Sequence, residues 1–475
     1  MQKLKNIDMT NGPLFSKIVL FVLPLMATNL LQVLYNTADM IVVSMSTEAD
    51  AVGAIGITGA LINLVLNVFM GFATGANVVV ARCIGAGDDK MTSKAVHTSI
   101  IVSLIFGLIG GAIGIAVARP VLTLMDARGK LLDLATVYTQ IYFASAPFIS
   151  VSNCAISIFR AKGDTKTPLF VLTASGLLNV ALNLFFVLVL GRSADGVALA
   201  TAASTIVASF LLIFLLMREK GSCRFSFKDL RIDKNSFTDV LKIGLPAGIQ
   251  GSLFSLSNMI IQSSVLQVNN AVCPPGSEFQ PVVKGNSATS NLEGFIYTAT
   301  NSVYQASITF TSQNVGAGKF SRIKKVMKCC YSLTFCIAII FSGIMLGLSK
   351  QLLSLYGIFE GAEGTLERIA YNTAIERMLY MFTTYFLLAF MEVGSGVVRG
   401  LGKSTASTII SLVGSCIMRI VWIATVFRAH PTLGTIFISY PISWGLTAAV
   451  QFSFAVIYLI KKRKSAGSDI WQEDT

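Results

Sequence analysis

The sequence predicts an all-α integral membrane protein, with twelve transmembrane helices in two six-helix lobes. Three observations predict it. Of 475 residues, 53% are hydrophobic and only 13% are charged, with a mean hydropathy of +0.69, against roughly 25% charged in an average soluble domain. At about 35 to 40 residues per span and loop, and roughly 20 apolar residues per membrane-crossing helix, twelve spans use nearly the whole length. The two halves also repeat one another.

Taken in order, the apolar runs fall at 14–45, 52–80, 93–118, 132–158, 168–190, 194–217, 239–268, 287–315, 325–349, 367–397, 405–427 and 432–460. The first is too long for the core of a signal peptide and continues past Asn29 and Asn36, so it reads as a transmembrane helix. Residues 1–217 form the first lobe, 218–238 a basic linker, 239–460 the second lobe and 461–475 a tail.

Three motif pairs carry the repeat. VLPLMATNLLQVLYN resembles GLPAGIQGSLFSLSN, pairing Pro24 with Pro246. ARCIGAGD resembles SQNVGAGK, pairing Gly85 and Gly87 with Gly316 and Gly318. FRAKGDTKTP resembles VRGLGKSTAS, pairing Arg160 with Arg399 and Gly163 with Gly402. The offset grows from 222 to 239 residues, which predicts small insertions in the second half, one of them within 269–290. Six helices per half is an even number, so both halves begin on the same side. The repeats are therefore parallel, related by a pseudo-two-fold along the membrane normal, as in transporters that rock around a central site.

The net charge of +13 raises nucleic-acid binding, but its placement argues otherwise. About 27 Lys and Arg fall on one side of the predicted membrane (among them Lys3, Lys5, Lys17, Arg82, Lys90 and Lys94) and about 8 on the other. This places both termini in the cytoplasm and accounts for the charge by orientation and contact with lipid headgroups; no nucleic-acid partner is expected. The eight cysteines are scattered, with only Cys273 in a predicted outer loop, so neither a disulfide framework nor a metal site is expected.

No catalytic constellation appears, and the chain reads as a non-enzyme. GLGKST at 400–405 resembles the end of a P-loop, but the first glycine would fall at Val397 and no strand precedes it. His97 and His430 stand alone near helix ends and read as surface or interfacial.

Asp39, in LYNTADMIVV, sits about six residues from the end of the first run, about 9 Å inside at 1.5 Å per residue. A charge at the centre of a lone membrane helix costs about 2.5 to 3.5 kcal/mol, so such residues face a cavity or a partner. Burial disfavours the carboxylate and an arriving cation favours it. Proton and cation therefore compete for one site.

Asn179 and Asn183, spaced i, i+4, share a face of the fifth helix and could orient Asp39, hold Na+ through their amide oxygens, or simply bond helix to helix. Tyr35, one turn from Asp39, is a candidate partner for it. Glu392 on the tenth helix is a second candidate acid, and Gln250, Asn258 and Gln262 on the seventh are further candidates for lining a substrate cavity with Asp39 and Glu392. Arg419, near the middle of the eleventh helix, needs a partner. Glu293, Glu376 and Arg377 fall near outer helix ends and read as interfacial. Pro24, on the helix that carries Asp39, permits bending, and the expectation is that this helix bends or straightens with the protonation of Asp39.

Read together, LYNTADMIVVS, VVVARCIGAGD, FRAKGDTKTPLFVLTASGLLNVALN, GLPAGIQ, TSQNVGAGK and VVRGLGKSTASTIISLVGSCIMRIVW resemble, in this order and over nearly the whole chain, the multidrug and toxic compound extrusion (MATE) antiporters. The resemblance implies a two-lobe exporter of small, often cationic molecules, driven by re-entry of H+ or Na+, with no other cofactor. Within the family the prokaryotic DinF-like branch is the most similar, and its acid on the first helix matches Asp39. That branch's polar groups on helices five and six fall on Asn179, Asn183 and Thr201. Where some relatives carry a second carboxylate on helix five this chain has Asn183, and no acid stands near Phe254 and Ser255, where another branch keeps a glutamate. Coupling should therefore lean on Asp39. The expected setting is a bacterial cytoplasmic membrane, with a functional monomer among membrane lipids. The alternative is a flippase for lipids or lipid-linked sugars.

Overall fold

The computed structural model describes residues 7–44, 51–125, 127–273 and 279–466. Lys3, Lys5, the 274–278 part of the predicted insertion and the tail beyond residue 466 lie outside the described residues. All regular structure within them is helical. The first half comprises α1 (Leu14–Ser44), α2 (Ala51–Gly85), α3 (Asp89–Leu124), α4 (Gly129–Ala144), α5 (Ala146–Ala161), α6 (Lys166–Leu184) and α7 (Ala194–Met217). The second comprises α8 (Lys234–Val272), α9 (Pro281–Gly316), α10 (Phe320–Gly347), α11 (Ser349–Ser354), α12 (Leu366–Phe382), α13 (Tyr385–Gly400), α14 (Ser404–Ser411), α15 (Met418–Trp422) and α16 (Leu433–Ala466).

Eight of the spans are long and apolar enough to cross a membrane, and the bent pairs α4/α5 and α12/α13 bring the number to ten. α8 and α9, with 39 and 36 residues, are long but more polar, and occupy the seventh and eighth places. α8 begins before residue 239 and α9 before 287, so much of the predicted 269–290 insertion is helix rather than loop. Apolar side chains such as Leu20, Phe170, Leu177 and Phe210 remain exposed, as lipid-facing residues must.

The two bends occupy equivalent places. α4/α5 turns by 48° at Ser145 and α12/α13 by 46° near Thr384, in the same 239-residue register that aligns Arg160 with Arg399. At each break a hydroxyl satisfies a carbonyl freed from the helix ladder. Ser145 donates to the Tyr142 carbonyl at 2.7 Å and Thr384 to that of Tyr380 at 2.6 Å, the kind of local repair a membrane requires.

By backbone packing the chain divides into two compact units. Unit 1 runs to Ser252 and adds Ile308–Lys319 and Gly400–Thr405; unit 2 takes Leu253–Ser307, Phe320–Arg399 and the chain from Ala406. Phe69, Phe143 and Val197 lie in the core of unit 1, and Ile296, Phe382, Tyr385 and Phe437 in that of unit 2.

Inside unit 1 the GAG motifs meet reciprocally. A Cβ on Gly85 would lie 2.0 Å from the Gln313 carbonyl oxygen, and one on Gly316 would lie 2.0 Å from that of Arg82. The hydrogen bonds are exchanged in the same way: Arg82 donates to the Gly400 carbonyl at 3.1 Å, and Gln313 to that of Ala161 at 2.7 Å. In the repeat Arg82 pairs with Gln313 and Ala161 with Gly400, so each half caps the other. Gly316→Val should push these backbones apart and destabilise the protein by about 1 to 3 kcal/mol, read as a lower Tm in detergent.

The linker is docked rather than free. His97, predicted at the surface, is only 2% exposed. Its ring stacks on Phe225, Nδ1 lies 2.7 Å from the Ser93 carbonyl, and Nε2 accepts from the Ser226 amide at 3.0 Å. The short apolar turn after α7 covers the ring, a partner invisible from the neighbours of His97 in sequence. His430 is exposed, as expected.

Asp233 closes the linker by accepting from the Ser236 amide and hydroxyl at 3.0 Å, while Lys94 stands 3.3 Å away. The Ser236 amide, its hydroxyl and Lys94 hold this carboxyl below its ordinary 3.8. Its contribution is therefore full above that pH and is lost as the pH falls through the lowered value. Asp233→Ala should cost about 1 kcal/mol as a lost helix cap and speed proteolysis within 218–233.

Candidate functional site: the Asp39 amide ladder

Asp39 lies on α1, Asn179 and Asn183 on α6, and Thr201 on α7, all in unit 1. The i, i+4 spacing on α6 stacks the two amides, and α1 and α7 supply the ends. Asn183 donates to Asp39 Oδ1 at 2.5 Å through its Nδ2, which also lies 3.3 Å from Asn179 Oδ1; Asn179 Nδ2 in turn reaches Thr201 Oγ1 at 3.3 Å. Four of the five residues that the sequence grouped here form one continuous ladder from carboxylate to hydroxyl.

Asn183 is fully buried, and its Oδ1 has no hydrogen-bond partner among the described residues. A buried acceptor left open beside a carboxylate is chemically suited to a small hard cation. Immediately after Asn183 the helix widens into a π turn, Phe185–Val189, a local distortion often found at functional sites.

Tyr35 is the exception. Its hydroxyl donates to the Thr173 carbonyl at 3.3 Å rather than to Asp39, and its ring packs where a Cβ on Gly176 would stand 1.9 Å away. The side chain occupies the α1/α6 contact because Gly176 leaves room for it. Sequence reasoning missed Tyr138 and Tyr142 on α4, whose stacked rings, 6.4 Å apart, pack in the cluster that holds Val42 and Val43 of α1; their own i, i+4 spacing was the available signal.

Unit 2 holds a second polar region. Glu392 and Arg399 both lie on α13, and Arg399 donates to the Tyr304 hydroxyl of α9. Gln262 on α8 accepts from Asn286 at 2.8 Å. Asn258 is exposed, and Gln250 is buried in unit 1. The sequence thus placed its cavity candidates on both units.

A further expectation is overturned. Arg377 is not interfacial: it is 4% exposed, bonds Glu293 at 2.8 Å and also donates to the Asn286 side chain. Glu376 is half-buried beside Gly434. Position near a helix end misled because neighbouring helices extend past it, and Asn286, the residue that completes the pair, carries no signal of its own. Arg419 gains the partner it required, with Nε donating to Ser443 Oγ at 2.7 Å and the guanidinium 4.3 Å from the Tyr440 ring centre.

Eight to ten apolar spans and a half-buried carboxylate joined to an amide ladder describe a membrane protein with a polar site among its helices. The family model MatE matches residues 24–185 and again 246–425. The chain belongs to the MatE family of multi-pass membrane transporters. The two matches begin at Pro24 and Pro246, the first pair of the repeat.

Among similar proteins, the probable multidrug resistance protein YoeA of Bacillus subtilis is 24% identical over 456 residues, 94% of each chain. The multidrug export protein MepA of Staphylococcus aureus is 21% identical over 95% of each. A solved structure of a multidrug resistance MATE family transporter in an outward-facing conformation superposes with a TM-score of 0.86 at 21% identity, covering 97% of this chain and 99% of that one.

Proposed function

We propose that the protein is an antiporter that exports amphipathic cations in exchange for H+ or Na+, with Asp39 as the coupling acid. The observation that carries this reading is the ladder Asp39, Asn183, Asn179, Thr201, in which the rung beside the carboxylate, Asn183, keeps an open acceptor oxygen. The names of YoeA and MepA support the substrate class. They do not favour a lipid flippase, which would need a basic groove for phosphate headgroups.

The basic loops orient the chain with both termini in the cytoplasm of a bacterial cell, and the GAG motifs of unit 1 then lie on the cytoplasmic side. A monomer suffices for this cycle. A coupling ion arriving from outside neutralises Asp39, weakens its hold on the cationic substrate and favours release outward. Linkage is reciprocal: a substrate that expels the ion must bind more weakly when the ion is present. Pro24 on α1 allows the helix to respond, and identical α1 geometry in structures with Asp39 charged and neutral would contradict that part of the cycle.

The test is efflux of a fluorescent organic cation from liposomes under a proton gradient and, separately, a sodium gradient. Movement with one gradient names the coupling ion. Movement with neither contradicts the proposal.

A further inference from the structure

Arg419 remains unexplained by the cycle above. It is 3% exposed, and its surroundings in unit 2 satisfy it only in part. Ser443 takes Nε, and Tyr440 and Trp444 stand 4.3 and 5.7 Å from the guanidinium centre, while Nη2 is buried with no hydrogen-bond partner among the described residues. Among the described residues no carboxylate forms an ion pair with Arg419, and Glu293 is bonded to Arg377 at 2.8 Å. A buried positive charge is thus left without a carboxylate and with a free donor.

The backbone singles out the same residue. Arg419 sits on the five-residue α15, between the π turns Leu412–Ile417 and Ile423–Phe427. π turns cluster at functional sites because they re-aim side chains out of the helical register. In the register that aligns Arg160 with Arg399, Tyr440 stands where the first half has Thr201, and Arg419 stands one residue beyond the Asn179 position. The α6/α7 pair supports an anion; the equivalent pair in the second half carries a cation.

We propose that Arg419, oriented by Ser443 and backed by Tyr440 and Trp444, is an anion subsite that takes the carboxylate of zwitterionic substrates. A planar guanidinium with an open N–H edge suits a carboxylate, and stacked aromatics keep its charge in place. Nη2 is enclosed in this conformation, so the carboxylate reaches it in another state of the cycle. The inference rests on the export reading and extends its substrate class from cations to zwitterions.

The test uses a matched dye pair with the full-length protein in detergent and in liposomes: the ethyl ester of a rhodamine, a monocation, and the same rhodamine as its free acid, a zwitterion. Arg419→Gln should weaken binding of the acid by about tenfold or more, the value of a charge-assisted hydrogen bond, and leave the ester within about twofold. Ser443→Ala should act in the same direction with a smaller loss, and Arg419→Lys should retain part of the acid binding as a point charge.

Equal loss for both dyes, or no loss for either, overturns the subsite and leaves Arg419 as a packing residue held by Ser443, Tyr440 and Trp444. If Arg419→Gln does not fold, as judged by gel filtration, Ser443→Ala decides alone: an acid-selective loss supports the subsite, and indifference overturns it. Wild-type protein that binds the ester and not the acid sinks the subsite and spares the export reading. Protein that binds the acid but exports neither dye does the reverse, and binding of neither dye removes both.

Discussion

Asp39→Asn is expected to yield a folded protein that still binds a cationic dye but no longer moves it against a gradient, with efflux falling to the rate of protein-free liposomes. The substitution keeps the shape of the side chain and an Oδ1 that can accept from Asn183, so the ladder through Asn179 to Thr201 survives. What it removes is the titration. A neutral amide cannot exchange a proton or sodium ion for a cation, so dye affinity should fall by about 1.5 to 3 kcal/mol, the worth of a hydrogen bond to a charged group, and should no longer depend on the coupling ion. An amide is also cheaper than a carboxylate inside a membrane, so Tm should not fall. A lower Tm with unchanged pumping would instead make Asp39 a structural residue.

Arg377→Met carries the largest expected effect on stability. Arg377 and Glu293 lie 2.8 Å apart with side chains 5% and 17% exposed, and Arg377 also donates to the Asn286 carbonyl at 3.3 Å. Removing one partner of a buried ion pair strands the other, at a cost of about 3 to 5 kcal/mol. The double variant Arg377→Met, Glu293→Met should recover much of the loss, because no buried charge is then left alone. Thermal unfolding in detergent distinguishes these outcomes, and a double variant no more stable than the single would contradict the ion-pair account.

Some of this was legible in the sequence and some was not, for physical reasons. The apolar spans could be read because each must satisfy its backbone internally and present apolar residues to lipid, which leaves a long hydropathic run. Asp39, Asn179 and Asn183 could be read because polar residues inside such runs are costly, and the i, i+4 spacing fixed a shared face. The bends at Ser145 and Thr384 were hidden, since a serine or threonine that repairs a break looks like any other. Tyr35 was assigned by its nearness to Asp39 along α1, but Gly176 on another helix decided where its ring would lie. Arg377 and His97 were misread for the same reason: each is buried by chain distant in sequence, from α9 in one case and the 218–233 linker in the other. The GAG motifs announced themselves as a repeat. That their glycines admit the Gln313 and Arg82 carbonyls to one another required coordinates.

The central claim is that the coupling ion and a cationic substrate compete for Asp39. It is tested most directly by counting ions released when dye binds to purified protein, with proton release followed in weakly buffered solution and sodium displacement followed by its effect on dye affinity. The account predicts that wild-type protein gives up about one coupling ion per dye bound and that Asp39→Asn gives up none while still binding dye, as reciprocal linkage requires. The same release from both proteins would contradict it and move the coupling site to another acid, with Glu392 the first to examine.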